Sequence, residues 1–130
     1  MRISLKELFI YRQYTDGPTY NYFDRKTYTV CREEHLDNGQ NASYVRYIPL
    51  FKVDEQALQN EFIQRYMPKG TWRKFQDSSY CFEEFIQRNN EWYPWWDFYK
   101  KAVCAIARRW CIEHHIIFVD EVPWCIEKNV

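Results

Sequence analysis

Over residues 94–114 the apolar side chains return at helical spacing. At about 100° per residue, Trp95, Trp96, Tyr99, Val103, Ile106, Ala107 and Trp110 fall within one stripe roughly 120° wide. Pro94 suits the first turn of such a helix, because its missing N–H has no intrahelical partner there. Lys101 and Arg108 lie on the opposite side, and Cys104 and Cys111 flank the stripe. A helix with so aromatic a face must bury it, so the rest of the chain has to supply a cover.

The preceding residues offer that cover in short pieces. Ser4 and Glu7 have capping-box spacing, which predicts a helix over 4–12 with Leu5, Leu8 and Phe9 on its apolar face. Asp16-Gly17-Pro18 breaks the chain. Alternating Tyr, Phe, Thr and Val predict a β-hairpin, with strands 20–24 and 27–32 around Arg25-Lys26. Residues 33–44 read as an exposed loop with an Asn38-Gly39 turn, and 44–51 as a third strand. Asp54 is a good N-cap for a helix over 55–67, with Leu58, Phe62 and Tyr66 four apart. Pro68 and Gly70 end it. A short helix follows over 71–79, then one helical turn within 81–90. After the long helix, 116–119 reads as a β-branched strand and 120–130 as an irregular tail. The expected fold is α+β: a small antiparallel sheet packed against the long C-terminal helix and shorter helices. All 130 residues form one domain, in three parts: 1–51, 52–119 and the tail 120–130.

Composition sharpens this. The chain holds 11 Tyr, 9 Phe and 6 Trp but only 22 Ile, Leu and Val. Tyr and Trp combine an apolar body with a polar tip, so hydropathy scales undervalue them. Hydrophobic residues make up 46% while mean hydropathy is −0.69. Disorder is excluded, since it needs few aromatics. Lys+Arg and Asp+Glu are both 18, so no global positive field points to nucleic acid. No stretch approaches the ~20 apolar residues of a membrane span, and the start MRISLKELFIYRQ lacks a leader's apolar region. A cytoplasmic protein with free thiols is therefore expected at Cys31, Cys81, Cys104, Cys111 and Cys125. The Asn41-Ala42-Ser43 sequon then reads as chance.

Several C-terminal motifs carry a resemblance. Gly70-x-Trp72-Arg73-x-Phe75-x-Asp77, then Trp95-Trp96-x-Phe98, then Ile106-Ala107-x-x-Trp110-Cys111-x-Glu113-x-x-Ile116 occur in that order. Together with Tyr22-Phe23-Asp24-Arg25-Lys26-Thr27, they resemble the bacterial Uncharacterised Protein Family 0158. Trp72 stands where that family has Phe, and Trp96 where it has Tyr. The resemblance implies no activity and no catalytic residues.

Four functional readings compete. In the first, Arg65, Lys69, Arg73, Lys74, Lys100, Lys101, Arg108 and Arg109 lie in two acid-poor stretches, 65–74 and 98–109. With Trp72, Phe75, Phe98 and Tyr99 they resemble a surface on which phosphates bind and bases stack. The bland alternative is a solvated face: Lys101 pairs with Asp97 at i,i+4, and Arg108 and Arg109 favour the helix C-terminus. In the second, Cys111 and His115, with Cys104, His114 and Cys125 nearby, suggest a metal. No Cys-x-x-Cys pair supports it, so neither a metal nor a cofactor is expected. In the third, a Cys–His pair does catalysis, which needs a lowered thiol pKa. Glu83-Glu84 and Asp120-Glu121 are adjacent acids that diverge, and Gly is too scarce for a phosphate loop. In the fourth, Trp92, Tyr93, Phe98, Phe82, Phe85 and Trp124 lie off the stripe. They read equally as a contact surface or as an aromatic-rich core. The reading adopted from sequence is a non-catalytic protein-interaction or regulatory module with a protein partner. Its binding residues are Trp72, Arg73, Lys74, Trp92, Tyr93, Phe98, Lys101 and Arg108, centred on the Arg73/Lys74 helix beside 82–93. Nucleic-acid binding through the two basic stretches is the alternative.

Overall fold

In the computed structural model, residues 1–36 and 46–120 are described. The N-terminal part starts with β1 (Ile3–Ser4) and α1 (Leu5–Ile10). Ser4 caps α1 as expected, but its side chain accepts from the Lys6 N–H rather than from Glu7. After β2 (Gln13–Tyr14) come the hairpin strands β3 (Asn21–Asp24) and β4 (Thr29–Arg32), a 3-10 turn over Glu33–His35, then β5 (Tyr47–Pro49) and β6 (Lys52–Val53). The helices are α2 (Glu55–Tyr66), α3 (Thr71–Asp77), α4 (Phe82–Arg88) and α5 (Trp92–Glu113), followed by β7 (Phe118–Val119).

The fold is α+β. Its antiparallel sheet has the order β4-β3-β5, with β3 in the centre. Two further pairings are parallel and only two residues long, β1 with β7 and β2 with β6. The expected strand at 116–119 is thus shorter than its β-branched composition suggests. Its place is set by the Ile3 N–H bonding the Ile117 carbonyl at 3.0 Å, which joins the two ends of the described chain. Of the strand expected at 44–51, β5 covers Tyr47–Pro49, and the Leu50 N–H still bonds the Asn21 carbonyl at 3.0 Å. Residue 44, most of the 33–44 loop, the sequon, Trp124, Cys125 and the 121–130 part of the tail lie outside the described residues.

Two helices differ from expectation. Residues 81–90 hold nearly two turns, not one, because Phe82, Phe85 and Ile86 all face the core. α5 starts at Trp92 rather than at Pro94. Pro94 is its third residue, where the N–H is still one of the orphan donors of the first turn. On α2, Asp54 caps as expected, accepting from the Ala57 N–H at 3.1 Å. The expected apolar row is rotated: Phe62 and Ile63 are buried, Leu58 is half-buried and Tyr66 is exposed. Gly70 precedes α3 at φ 88°, a left-handed backbone that glycine adopts without Cβ strain.

A single hydrophobic cluster draws on residues from Ile3 to Ile116. Trp95, Tyr99, Val103, Ala107 and Trp110 of the expected stripe are buried, and Trp96 and Ile106 pack against them half-buried. Cys104 and Cys111 are also buried, so they act as small hydrophobes.

Polar groups inside the sheet region are satisfied in two places that sequence patterns did not mark. Gln13 is buried, and its amide joins three segments. It accepts from the Tyr20 and Asn21 N–H groups at 2.6 and 2.8 Å and donates to the Leu50 carbonyl at 3.2 Å. Asp24 is buried and receives Arg46 in a fork, Nε to Oδ1 at 3.0 Å and the second guanidinium nitrogen to Oδ2 at 3.1 Å. It also accepts from the Lys26 N–H at 2.9 Å, which shapes the hairpin turn. Tyr28 closes that turn at φ 60°. Its ring lies edge-on to Phe23, and its hydroxyl accepts from the Ile117 N–H at 2.7 Å, which offsets the left-handed backbone.

Burial of Asp24 favours its neutral form, but the hydrogen bonds from Arg46 and the Lys26 N–H outweigh it. The carboxyl is held below its ordinary range. A depressed pKa stabilises the fold above the unfolded value of about 4, and that stability is lost as pH falls through the folded value. Asp24→Asn should therefore cost about 1–3 kcal/mol at pH 7. The difference from the parent chain, read by thermal unfolding, should shrink steadily below about pH 4. An equal loss at pH 7 and pH 2 would contradict this assignment.

Candidate functional site

The eight residues singled out in the sequence do not converge. Arg73 and Lys74 project into solvent from α3, whose apolar side chains turn inward. Trp72 is half-buried against Phe75, and Phe75 packs on Phe82 and Phe85 of α4 at ring separations of 5.8 and 5.1 Å. Of the aromatics beside the Arg73/Lys74 helix, Phe82 and Phe85 are therefore core, and Trp72 and Phe75 pack against it half-buried. Trp92 is half-buried and lies parallel to Trp96, ring centres 6.4 Å apart. Tyr93 stands out at 81% exposure. Arg108 pairs with Asp120. Phe98 and Lys101 alone line one feature together, a groove between α2 and α5.

The eight-cation surface is also corrected. Lys100 is only 3% exposed, with its ammonium 5.7 Å from the centre of the Trp96 ring. Arg65 pairs with Glu61 at 2.6 Å and Lys101 with Asp97 at 2.9 Å. Lys69, Arg73, Lys74 and Arg109 are exposed. The stretches lose their continuity because helical geometry turns Lys100 inward and gives Arg65 and Lys101 acidic neighbours at i,i+4, while Asp120, after β7, pairs with Arg108.

The α2–α5 groove has a volume of about 620 Å³. Its floor is Phe62 and Phe98, whose rings are 5.5 Å apart, and Tyr66 closes one wall at 5.4 Å from Phe98. Both helices present an acid and a base four residues apart along it: Glu61 and Arg65 on α2, Asp97 and Lys101 on α5. Asp97 gives Oδ2 to Lys101, while its Oδ1 is sheltered and has no hydrogen-bond partner among the described residues. A sheltered acceptor without a donor is costly, by about 1–3 kcal/mol.

On another side of α5, Tyr99 sits at the centre of a hydrogen-bond chain. The Arg12 Nε–H donates to its hydroxyl at 2.7 Å, and that hydroxyl donates to Glu55 Oε2 at 2.7 Å. A second guanidinium nitrogen of Arg12 donates to the Phe9 carbonyl at 2.9 Å, and the guanidinium carbon lies 4.2 Å from the Phe9 ring centre. The chain ties the end of α1, the start of α2 and the middle of α5. Burial, reinforced by the bond to Glu55, pushes the Tyr99 phenol well above its ordinary range. Tyr99 therefore holds its proton and serves as a clamp rather than as an acid or base. Sequence reading missed Arg12 and Glu55, since a single charge on each of two segments forms no local pattern.

Two of the described thiols, Cys31 and Cys111, are held away from the thiolate a nucleophile needs. Burial pushes the Cys111 thiol up to about 12, opposite to activation. His115 lies beyond the end of α5, exposed at φ 58°, so the helical face that would have paired it with Cys111 has already ended. Burial and then the Asp24 charge raise Cys31 as well. Among the described residues, no three His, Cys, Asp or Glu side chains are grouped to hold a metal ion, and no helix is long and apolar enough to cross a membrane.

No family model matches the chain, and no curated protein and no solved structure matches it.

Exposed Cys81 should react with a thiol reagent at pH 8 in the native protein, while Cys104 and Cys111 should be modified only after denaturation. Peptide mapping by mass spectrometry reads this. Modification of Cys111 at the rate of Cys81 would contradict its placement.

Proposed function

We propose that this chain is a non-catalytic protein-interaction module whose partner docks in the α2–α5 groove. The observation that carries the reading is the groove's lining: an aromatic floor of Phe62 and Phe98 between two rims of mixed charge. Aromatic anchors ringed by polar groups are the usual centre of a protein contact. Rims carrying both signs suit an amphipathic helix with its own alternating charges, laid between two helices. They suit a polyanion poorly, because each rim cation has a carboxylate beside it. Tyr93, in the first turn of α5, is exposed.

Membership of Uncharacterised Protein Family 0158 belongs to the same proposal. In its support, the three ordered motifs fall on structural junctions: Gly70 with α3, the first turns of α5, and the end of α5 to Ile116. A cytoplasmic setting is likewise proposed, supported by the free thiols of Cys31, Cys81, Cys104 and Cys111, which a reducing compartment keeps unpaired.

The test uses side chains that the core does not need. Tyr66→Ala with Lys101→Glu should weaken a partner captured by the parent chain about tenfold or more. Arg73→Ala with Lys74→Ala should leave that capture unchanged. If the α3 variant abolishes capture and nuclease releases the bound material, the basic stretches bind nucleic acid and the groove reading fails.

A further inference from the structure

The α2–α5 groove uses only part of the α5 face that forms it. α2 has 12 residues and α5 has 22. At about 100° per residue, Glu91 and Phe98, which line the groove, share a stripe about 60° wide with Ala105, Arg109 and Ile112. Those three lie outside the groove lining. Ala105 is half-buried, Arg109 is exposed, and Ile112 is an apolar side chain at 61% exposure. The groove wall therefore continues along α5 as an accessible stripe.

The stripe has a charge order. In chain direction it reads acid, apolar, base: Glu91, then Phe98 and Ala105, then Arg109. Asp97 and Lys101 repeat that order on either side of Phe98. A helix that carries acid before base is complementary to a copy of itself running the other way. A two-fold axis across the helix imposes that direction.

One register satisfies every pair. With the axis at residue 100, Glu91 faces the partner's Arg109, and Phe98 faces the partner's Ala102, a large ring against a small side chain. Asp97 then lies two positions, about 3 Å along the helix, from the partner's Lys101, within the reach of a lysine. Symmetry makes each contact twice. Each Asp97–Lys101 pair meets its reversed copy, so the four charges alternate in sign. The charges of the whole chain sum to zero, so no long-range repulsion holds two copies apart.

We infer that the partner docking in the α2–α5 groove is a second copy of this chain, its α5 antiparallel to the first and seated against Tyr66. The inference rests on the groove as the docking surface. Both copies present the same surface, so the contact closes as a dimer.

Sedimentation equilibrium of the full chain at low salt, from about 1 to 100 µM, should show a reversible monomer–dimer equilibrium. It should weaken as salt rises, because exposed charges are screened. Glu91→Lys and Arg109→Glu each set like charges opposite one another, and each should weaken the dimer about tenfold or more. Mixed in equal amounts, the two variants should recover the parent's affinity within about threefold, because opposite charges then face each other again. That recovery also shows that both variants are folded. The inference is overturned if the parent stays monomeric to about 100 µM. It is also overturned if the mixture associates no better than either variant alone. With a monomeric parent, loss of a different captured protein in the Tyr66/Lys101 variant would leave the groove reading standing without this inference. Capture of every protein, the second copy included, unchanged in that variant would end both.

Discussion

The buried face of α5 organises the molecule. Along it, Trp95 meets Phe62 of α2 and Phe82 of α4 at ring separations of 5.6 and 4.7 Å. One turn later, Tyr99 meets Phe9 of α1 at 5.9 Å. Near its end, Trp110 meets Phe23 of the sheet and Phe51 beside it, at 6.2 and 5.9 Å. One helical stripe therefore specifies the placement of the other helices at one end and of the sheet at the other. Aromatic pairs in edge-on geometry add about 0.5–1.5 kcal/mol each beyond area burial. This is why a short chain with few aliphatic residues can still assemble an ordered core.

The α2–α5 groove follows from that arrangement. α5 is a single helix with neighbours on more than one side, and its packing against α2 leaves the groove between them. On another side, the Arg12–Tyr99–Glu55 chain ties the end of α1 and the start of α2 to α5.

How much was legible in the sequence depended on the range of the interaction. The α5 stripe, the Ser4 and Asp54 caps, the hairpin and the Lys101–Asp97 pair are local, and the spacing of residues specified them. The parallel β1–β7 pairing joins residues more than a hundred positions apart, and two residues give no periodicity to read. The same holds for Gln13, whose value lies in reaching Leu50, and for the Asp24–Arg46 fork. Lys100 is buried although a charge in a basic stretch predicts exposure. A long aliphatic stem lets lysine line an aromatic surface. Phe82 and Phe85 lie off the α5 stripe, so the sequence leaves them equally open to a contact surface or a core, whereas α4 packs them inward against α5.

The central claim is that α5 is the last element to open. Native-state hydrogen exchange tests it most directly, because amides in the organising element exchange only through global unfolding. The backbone amides from Tyr99 to Ala107 should show the protein's highest protection, equal to the unfolding free energy measured with denaturant. Exchange of those amides well below that value, while β3 and β4 stay protected, would contradict the account.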